Sequence, residues 1–300
     1  MGGLKEVRIR IASVISTQQI TKAMKMVSAA KLRRAQDAIV RLRPYASKLK
    51  EIMENVSQSS DAGGSAFTKV RPVNKVLIVA IASNRGLCGA FNSSIIRGVN
   101  RIIREQYSQQ LSAGNPEKSG QVVKVLGIGK KVSDYFAKNK KIFLDQRNDI
   151  YNNLNFENVS QIASFLMDEF AKENFDKVVI VYNQFKNAAS QYVTEETLMP
   201  LQPSSQEGKT SAAKTDYIFE PNAEEIVTEL IPKTIRTQLY KALLDSHASE
   251  HGARMTAMHK ATENAGDMLK ELRLSYNKAR QAVITREILE IVGGAEALKG

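Results

Sequence analysis

The chain has 300 residues, a quarter of them charged, with a formal net charge of +12, a single cysteine and three histidines. That length allows one or two domains with a sizeable core, and one cysteine excludes an internal disulfide and a thiolate-rich metal centre. No apolar run approaches the ~18–20 residues that span a bilayer, and the excess of positive charge implies an acidic partner, whether nucleic acid, an anionic membrane or an acidic protein surface.

The opening MGGLKEVRIR carries charge where a signal peptide has its apolar run. Glu6 stands where N-myristoylation requires Ser or Thr. The expectation is a soluble chain, or one held at a membrane through other proteins. Residues 4 to 57 then read as one helix, roughly 75–80 Å long. Alternating steps of four and three visit Val7, Ile11, Val14, Gln18, Thr21, Lys25, Ser28, Leu32, Ala35, Ile39, Leu42, Ala46, Leu49, Met53 and Val56. This is a coiled-coil seam, apolar at its ends and polar in its middle. Over the polar stretch the apolar residues move to Ile20, Ala23, Met24 and Val27, so either the pairing face rotates there or a second partner takes over. Pro44 predicts a kink rather than an end, because the seam continues past it. Residues 1 to 50 hold twelve Lys or Arg against two acids, Glu6 and Asp37.

Residues 58 to 72, QSSDAGGSAFTKVRP, read as a linker. An alternation of strands and helices follows. KVLIVAIA is a buried strand, NSSIIRGVNRIIREQY an amphipathic helix, QVVKVLG a strand and KKVSDYFAK a short helix. KKIFLD is a strand, ENVSQIASFLMDEFAKEN a helix with Val159, Ile162, Leu166 and Phe170 inward, and DKVVIVYN and QYVTEETLMPL are strands. Such alternation predicts an α/β fold with a largely parallel, Rossmann-like sheet covered by helices. SQQLSAGNPEKSG and PSSQEGKTSAAK are polar enough to predict disordered surface loops.

From about 222 to 297 the chain is helical again, roughly 110 Å of it. Pro232 marks a new segment or a kink. Ala261, Ala265, Met268, Leu272, Tyr276, Ala279 and Val283 form one face. The first helix enters the α/β region and the last leaves it, so the two run antiparallel if they pair. The last is the longer by roughly 20 residues, so its tip, with Ile284, Ile288, Leu289, Ile291 and Val292, extends past its partner. The division is thus 1–57 for the first coiled-coil helix, 73–221 for the α/β domain and 222–300 for the second coiled-coil helix.

Few residues carry chemistry. VLGIGKKV has Gly127 and Gly129, but Val132 replaces the third glycine of the dinucleotide fingerprint. Lys131 replaces the Ser or Thr of a phosphate loop, and Lys124 its first glycine. A tight strand-to-helix turn explains the glycines. SNRGLCGAFN offers Cys88, yet the α/β region has no histidine to activate it, and a packed thiol is the ordinary outcome. His247 and His251 are spaced i, i+4, but Glu250 is misplaced for H-E-x-x-H, so a solvated helix face is expected rather than a metal site. The basic first helix suits nucleic acid by charge, but it lacks stacking aromatics apart from Tyr45. No cofactor and no catalytic constellation is predicted.

Three stretches together resemble the gamma subunit family of F-type ATP synthases: IASVISTQQITKAMKMVSAAKLRRAQ, NRGLCGAFN and ASEHGARMTAMHKATENAGDMLKELRLSYNKARQAVITREILEIVGGAEAL. The resemblance covers essentially the whole chain, least at the two polar loops. It departs at Asn84, where the family often has Asp, and at Lys25, where it often has Glu. The cysteine pair of the chloroplast-type redox switch is absent. The resemblance implies an antiparallel coiled coil acting as a non-catalytic rotor shaft. Its protruding tip would sit in a sleeve of three alpha and three beta subunits, and its α/β domain against the epsilon subunit and the membrane c-ring. It further implies partner contacts at Met24, Lys25, Arg254, Gln281, Thr285 and Glu287. ATP and Mg belong to the partners, nucleic acid is not a ligand, and membrane association runs only through the complex, at the cytoplasmic face of a bacterial inner membrane. The alternative that stands without the resemblance is a basic coiled-coil nucleic-acid binder.

Overall fold

The computed structural model describes residues 3–59, 67–108, 122–201 and 223–297. The chain opens with α1 (Leu4–Ser59), followed by β1 (Lys75–Ile81), α2 (Phe91–Gln106), β2 (Val122–Ile128), α3 (Lys130–Phe136) and β3 (Phe143–Gln146). A 3-10 turn at Asn148–Asn152 leads to α4 (Phe156–Ala171), β4 (Lys177–Phe185), β5 (Gln191–Met199) and the closing α5 (Ala223–Ala297). Two compact units result, residues 1–29 with 254–300, and residues 30–253. Residues 60–66 of the predicted linker, and both polar loops beyond Ser108, lie outside the described residues.

The second unit is built on a five-stranded sheet of order β3-β2-β1-β4-β5, in which only the β4–β5 pairing is antiparallel. β1 shows why so apolar a strand forms. Its side chains alternate between two covered faces. Leu77, Val79 and Ile81 point to one core with Val159, Leu166 and Phe170 of α4 and Ile231, Ile235, Leu239 and Leu243 of α5. Val76, Ile78 and Ala80 point to the other, with Ile95, Val99 and Ile102 of α2 and Val132 and Phe136 of α3. The front of α5 is therefore part of the sheet's core. Asn155 caps α4, its side-chain oxygen accepting from the Asn158 amide at 2.8 Å. Both prolines are absorbed: α1 runs on through Pro44, and α5 starts no new segment at Pro232. In this unit the seam of α1 is as predicted, with Leu32, Ala35, Ile39 and Leu49 buried.

The first unit is an antiparallel helix pair. Arg8 donates to the Tyr276 hydroxyl at 2.8 Å, the Thr262 hydroxyl to that of Thr21 at 2.8 Å, and Lys25 Nζ lies 3.3 Å from His259 Nδ1. Gly266 lets the Gln18 amide come close. The pairing face does not rotate over the polar stretch. Thr21 and Ser28 are buried, while Ile20 and Val27 are each 57% exposed. Polar residues are tolerated in this seam because each hydroxyl is satisfied locally: Thr21 donates to the Gln18 carbonyl and Ser28 to that of Met24. On α5 the predicted face holds at Ala261, Ala265, Leu272, Tyr276, Ala279 and Val283 and fails at one position. Met268 is exposed, and Leu269 and Thr262 face inward instead.

Candidate partner-contact surfaces

The register of the helix pair fixes where α5 loses its cover. Leu4 begins α1, and Arg8 already stands opposite Tyr276. Val283 is the last half-buried position of α5, and every residue from 284 to 297 is exposed. Ile284, Ile288, Leu289, Ile291 and Val292 are all in water, Ile291 to 70%. An apolar run on a single unpaired helix is costly to leave hydrated. Gln281, Thr285 and Glu287 are exposed on this same end of the helix. Gln281 and Thr285 share a face, and Glu287 points away from it.

The second surface lies over the polar seam. Ile20, Met26 and Val27 are exposed, with Met24 half-buried between them. Lys25 is not a freely solvated charge. It is half-buried against His259, whose other ring nitrogen is 3.6 Å from Glu263. Gln18, Lys22, Lys25, Glu263, Asp267 and Lys270 line a shallow groove of mixed charge. Arg254 differs from the other predicted contacts. It is buried and already engaged. The structure thus places Met24 and Lys25 on one stretch of α1 and Gln281, Thr285 and Glu287 on the uncovered end of α5, while Arg254 is buried.

The α/β unit explains its glycines without a ligand. Gly129 has φ of 111°, and a side chain there would strike the Ala82 carbonyl. A side chain at Gly127 would strike Ser133. Cys88 is buried, and Asn92 Nδ2 donates to its sulfur at 3.1 Å. Asn84 uses both ends of its amide, donating to the Asn148 carbonyl at 3.0 Å and accepting from the Lys130 amide at 2.9 Å, which an Asp could not do. Open α/β sheets receive ligands where the strand order reverses, here between the carboxyl ends of β1 and β4. The chain fills that crevice itself. Asn183 donates to the Phe91 carbonyl, Ser249 of α5 donates to the Asn183 carbonyl at 2.9 Å, and Gly252 packs on Ala188 and Phe185.

The burial of two polar clusters in this unit is not legible in the sequence. Tyr182 donates to Glu196 Oε1 at 2.6 Å, and Lys241 lies 3.9 Å from the same oxygen. Asp245 beside them is pushed up to about 6, mainly by burial; Lys241 and Arg43 oppose the shift and Glu196 adds to it. The expected solvated face at His247 and His251 is also corrected. His251 is buried, His247 half-buried, and Tyr151 stacks on His247. Among the described residues no three His, Cys, Asp or Glu side chains gather as metal ligands. The only forewarning of either cluster was polar residues recurring at helical spacing on α5, which an exposed face produces equally well.

The sequence matches the ATP synthase family over residues 3–298. It is 54% identical over 302 residues to the ATP synthase gamma chain of Flavobacterium psychrophilum, covering the whole of both chains. In structure it is similar to a chain of the central stalk and c-ring of the Tetrahymena thermophila mitochondrial ATP synthase. That likeness has a TM-score of 0.55 at 27% identity and covers 81% of this chain and 99% of the other. A chain of the Euglena gracilis mitochondrial ATP synthase superposes with a TM-score of 0.65 at 21% identity, over 98% of this chain and 94% of that one, a likeness of fold.

Proposed function

Because the chain belongs to the ATP synthase family and is related along its whole length to gamma chains, we propose that the uncovered end of α5 is the working tip of a rotor shaft, turning inside the ring of alpha and beta subunits. The chain is the central-stalk rotor subunit of an F-type ATP synthase. It couples rotation of the c-ring to ATP synthesis and hydrolysis at the alpha/beta sites, and it is not itself catalytic. Its partners are the three alpha and three beta subunits, the epsilon subunit and the c-ring. The nucleic-acid alternative finds no support among the relatives. Like bacterial gamma chains, it belongs to a membrane-bound complex. None of its described helices is long and apolar enough to cross a membrane. The head to which it belongs faces the cytoplasm.

The observation that carries the proposal is the exposure of all residues from 284 to 297. A tip that rotates cannot be held by deep interlocking packing. A helix with moderate apolar surface and small residues, such as VGGAEAL, presents a bearing that slides. The shaft is asymmetric and its three surroundings are alike. Each orientation therefore favours a different conformation at each catalytic site, and rotation moves that bias around the ring. Gln281, Thr285 and Glu287 supply polar contacts to the beta subunits near the tip, and Met24 with Lys25 supplies a second, partly electrostatic contact lower on the shaft. Arg254 belongs to the same set through the HGARM motif, but its burial means that it acts chiefly by holding α5 in place. Residues 1–57 and 222–300 serve as shaft and 73–221 as the globular part that meets epsilon and the c-ring, with Ile231 to Leu243 shared with the sheet's core.

The test is coupled ATP synthesis by assembled complexes carrying Gln281→Leu and Thr285→Val. Both residues are exposed, so the chain still folds. Synthesis falls if they touch the beta subunits. Parental synthesis by the double variant would leave the tip an apolar axle without polar contacts.

A further inference from the structure

His247 and His251 are one turn apart on α5, within the α/β unit. Their Nε2 atoms face each other at 3.1 Å, and their rings are nearly perpendicular with centroids 4.5 Å apart. His251 is 5% exposed, and His247 is half-buried under the Tyr151 ring at 6.1 Å. Rotation of the shaft assigns this pair no task, and the i, i+4 spacing alone does not require the two nitrogens to converge. Exposed imidazoles at this spacing can turn away from each other into water. Here the packing of Tyr151 holds one ring, and burial holds the other.

Two neutral imidazoles in this contact share one proton, donated by one Nε2 and accepted by the other. A cation can replace that proton. Metal–imidazole bonds are about 2.0–2.1 Å, so two nitrogens 3.1 Å apart subtend an angle of about 95–102° at the ion. That lies between the angle of about 90° of a square-planar or octahedral sphere and the angle of about 109° of a tetrahedral one, and a small tilt of the half-buried His247 ring reaches either. Tetrahedral coordination needs a separation of about 3.3–3.4 Å. Imidazole suits Cu(II) and Ni(II), and of the first-row divalent ions Cu(II) binds a given nitrogen site most tightly. We propose that His247 and His251 form a two-nitrogen chelate for a divalent transition-metal ion of the Cu(II) or Ni(II) kind, stapling one turn of α5. No third His, Cys, Asp or Glu among the described residues completes the set, so water, which reaches the half-buried His247, fills the other positions. Binding uses both Nε2 lone pairs. The proton that lay between the rings moves to Nδ1 of its own ring, and occupancy weakens as pH falls because coordination competes with protonation.

The experiment is titration of the full chain with copper(II), read by calorimetry and by the nitrogen hyperfine pattern of the bound ion. The third histidine is removed as a control by His259→Gln. One ion is expected to bind with two imidazole nitrogens in its coordination sphere, unchanged in His259→Gln. Affinity is expected to drop about tenfold or more in His247→Gln or His251→Gln, and the two-nitrogen pattern to vanish in both. The spectrum of the parental chain decides the matter even where a variant folds poorly. A parental spectrum without two imidazole nitrogens, or equal copper affinity in the His247→Gln/His251→Gln double variant, overturns the site. The pair is then a structural hydrogen bond only.

Discussion

Asp245→Asn is expected to stabilise the chain at neutral pH and to lose that advantage in acid. Asp245 is 6% exposed, and its carboxyl is raised from 3.8 to about 6, principally by burial. A folded-state pKa above the unfolded value means that the folded chain holds the proton more tightly. Stability therefore declines as pH rises from about 3.8 through about 6, and the full penalty persists above that. A rise of that size corresponds to about 3 kcal/mol. That figure is a ceiling, because the amide gives up the attraction of Lys241 and Arg43 that the carboxylate enjoys. Chemical denaturation of parent and variant from pH 4 to pH 8 checks it. The difference in midpoint should be largest at pH 7 to 8 and shrink steadily below pH 6. A variant less stable than the parent at pH 8, or a difference that does not depend on pH, refutes the assignment of Asp245 as a buried carboxyl under strain from desolvation.

Gly129→Ala should destabilise the α/β unit by about 1–3 kcal/mol from backbone strain alone, and by more because the new methyl meets the Ala82 carbonyl; thermal melting reads it, and a neutral result would mean the turn relaxes freely. Leu239→Ala, at a fully buried position of the sheet's core, should cost about 2–5 kcal/mol, whereas Ile288→Ala on the exposed tip should move the isolated chain's stability by no more than about 0.5 kcal/mol. Thr21→Val should cost no more than about 1 kcal/mol, because the Thr262 hydroxyl loses Thr21 but keeps the Met258 carbonyl as acceptor at 2.7 Å; a double-mutant cycle with Thr262→Val gives the coupling. Lys25→Glu should change the salt dependence of ATP hydrolysis in the assembled head, since partly exposed charge pairs are screened; an unchanged salt profile would assign Lys25 only to its contact with His259.

The helices, the strands in chain order and the uncovered tip could be read from the sequence because they follow from local periodicity and helix length. Positions Val7 to Leu49 recur at the steps of a coiled-coil seam, and each of them lies at least partly inside the chain; Met53 and Val56 fall where side chains are not described. β1 is apolar at every inner position, so it had to be covered on both faces. The partner register was not legible. A one-step shift between Met268 and Leu269 leaves the pattern of α5 almost equally apolar, and only the packing of α1 chooses between them. The polar middle of the seam looked like a reason for the face to turn. It does not turn, because Thr21 and Ser28 satisfy their hydroxyls on their own helix, which apolar periodicity cannot register. The burial of Asp245, His251 and Arg254 was equally hidden. A polar residue at helical spacing is solvated unless another element arrives over it, and here the 3-10 turn brings Tyr151 over His247 and the β4–β5 hairpin brings Glu196 beside Asp245 from far along the chain. Sequence alone thus determined which segments are helix and strand and how far α5 outruns α1; tertiary structure decided which charges lose their water, because desolvation depends on contacts between segments that no local pattern encodes.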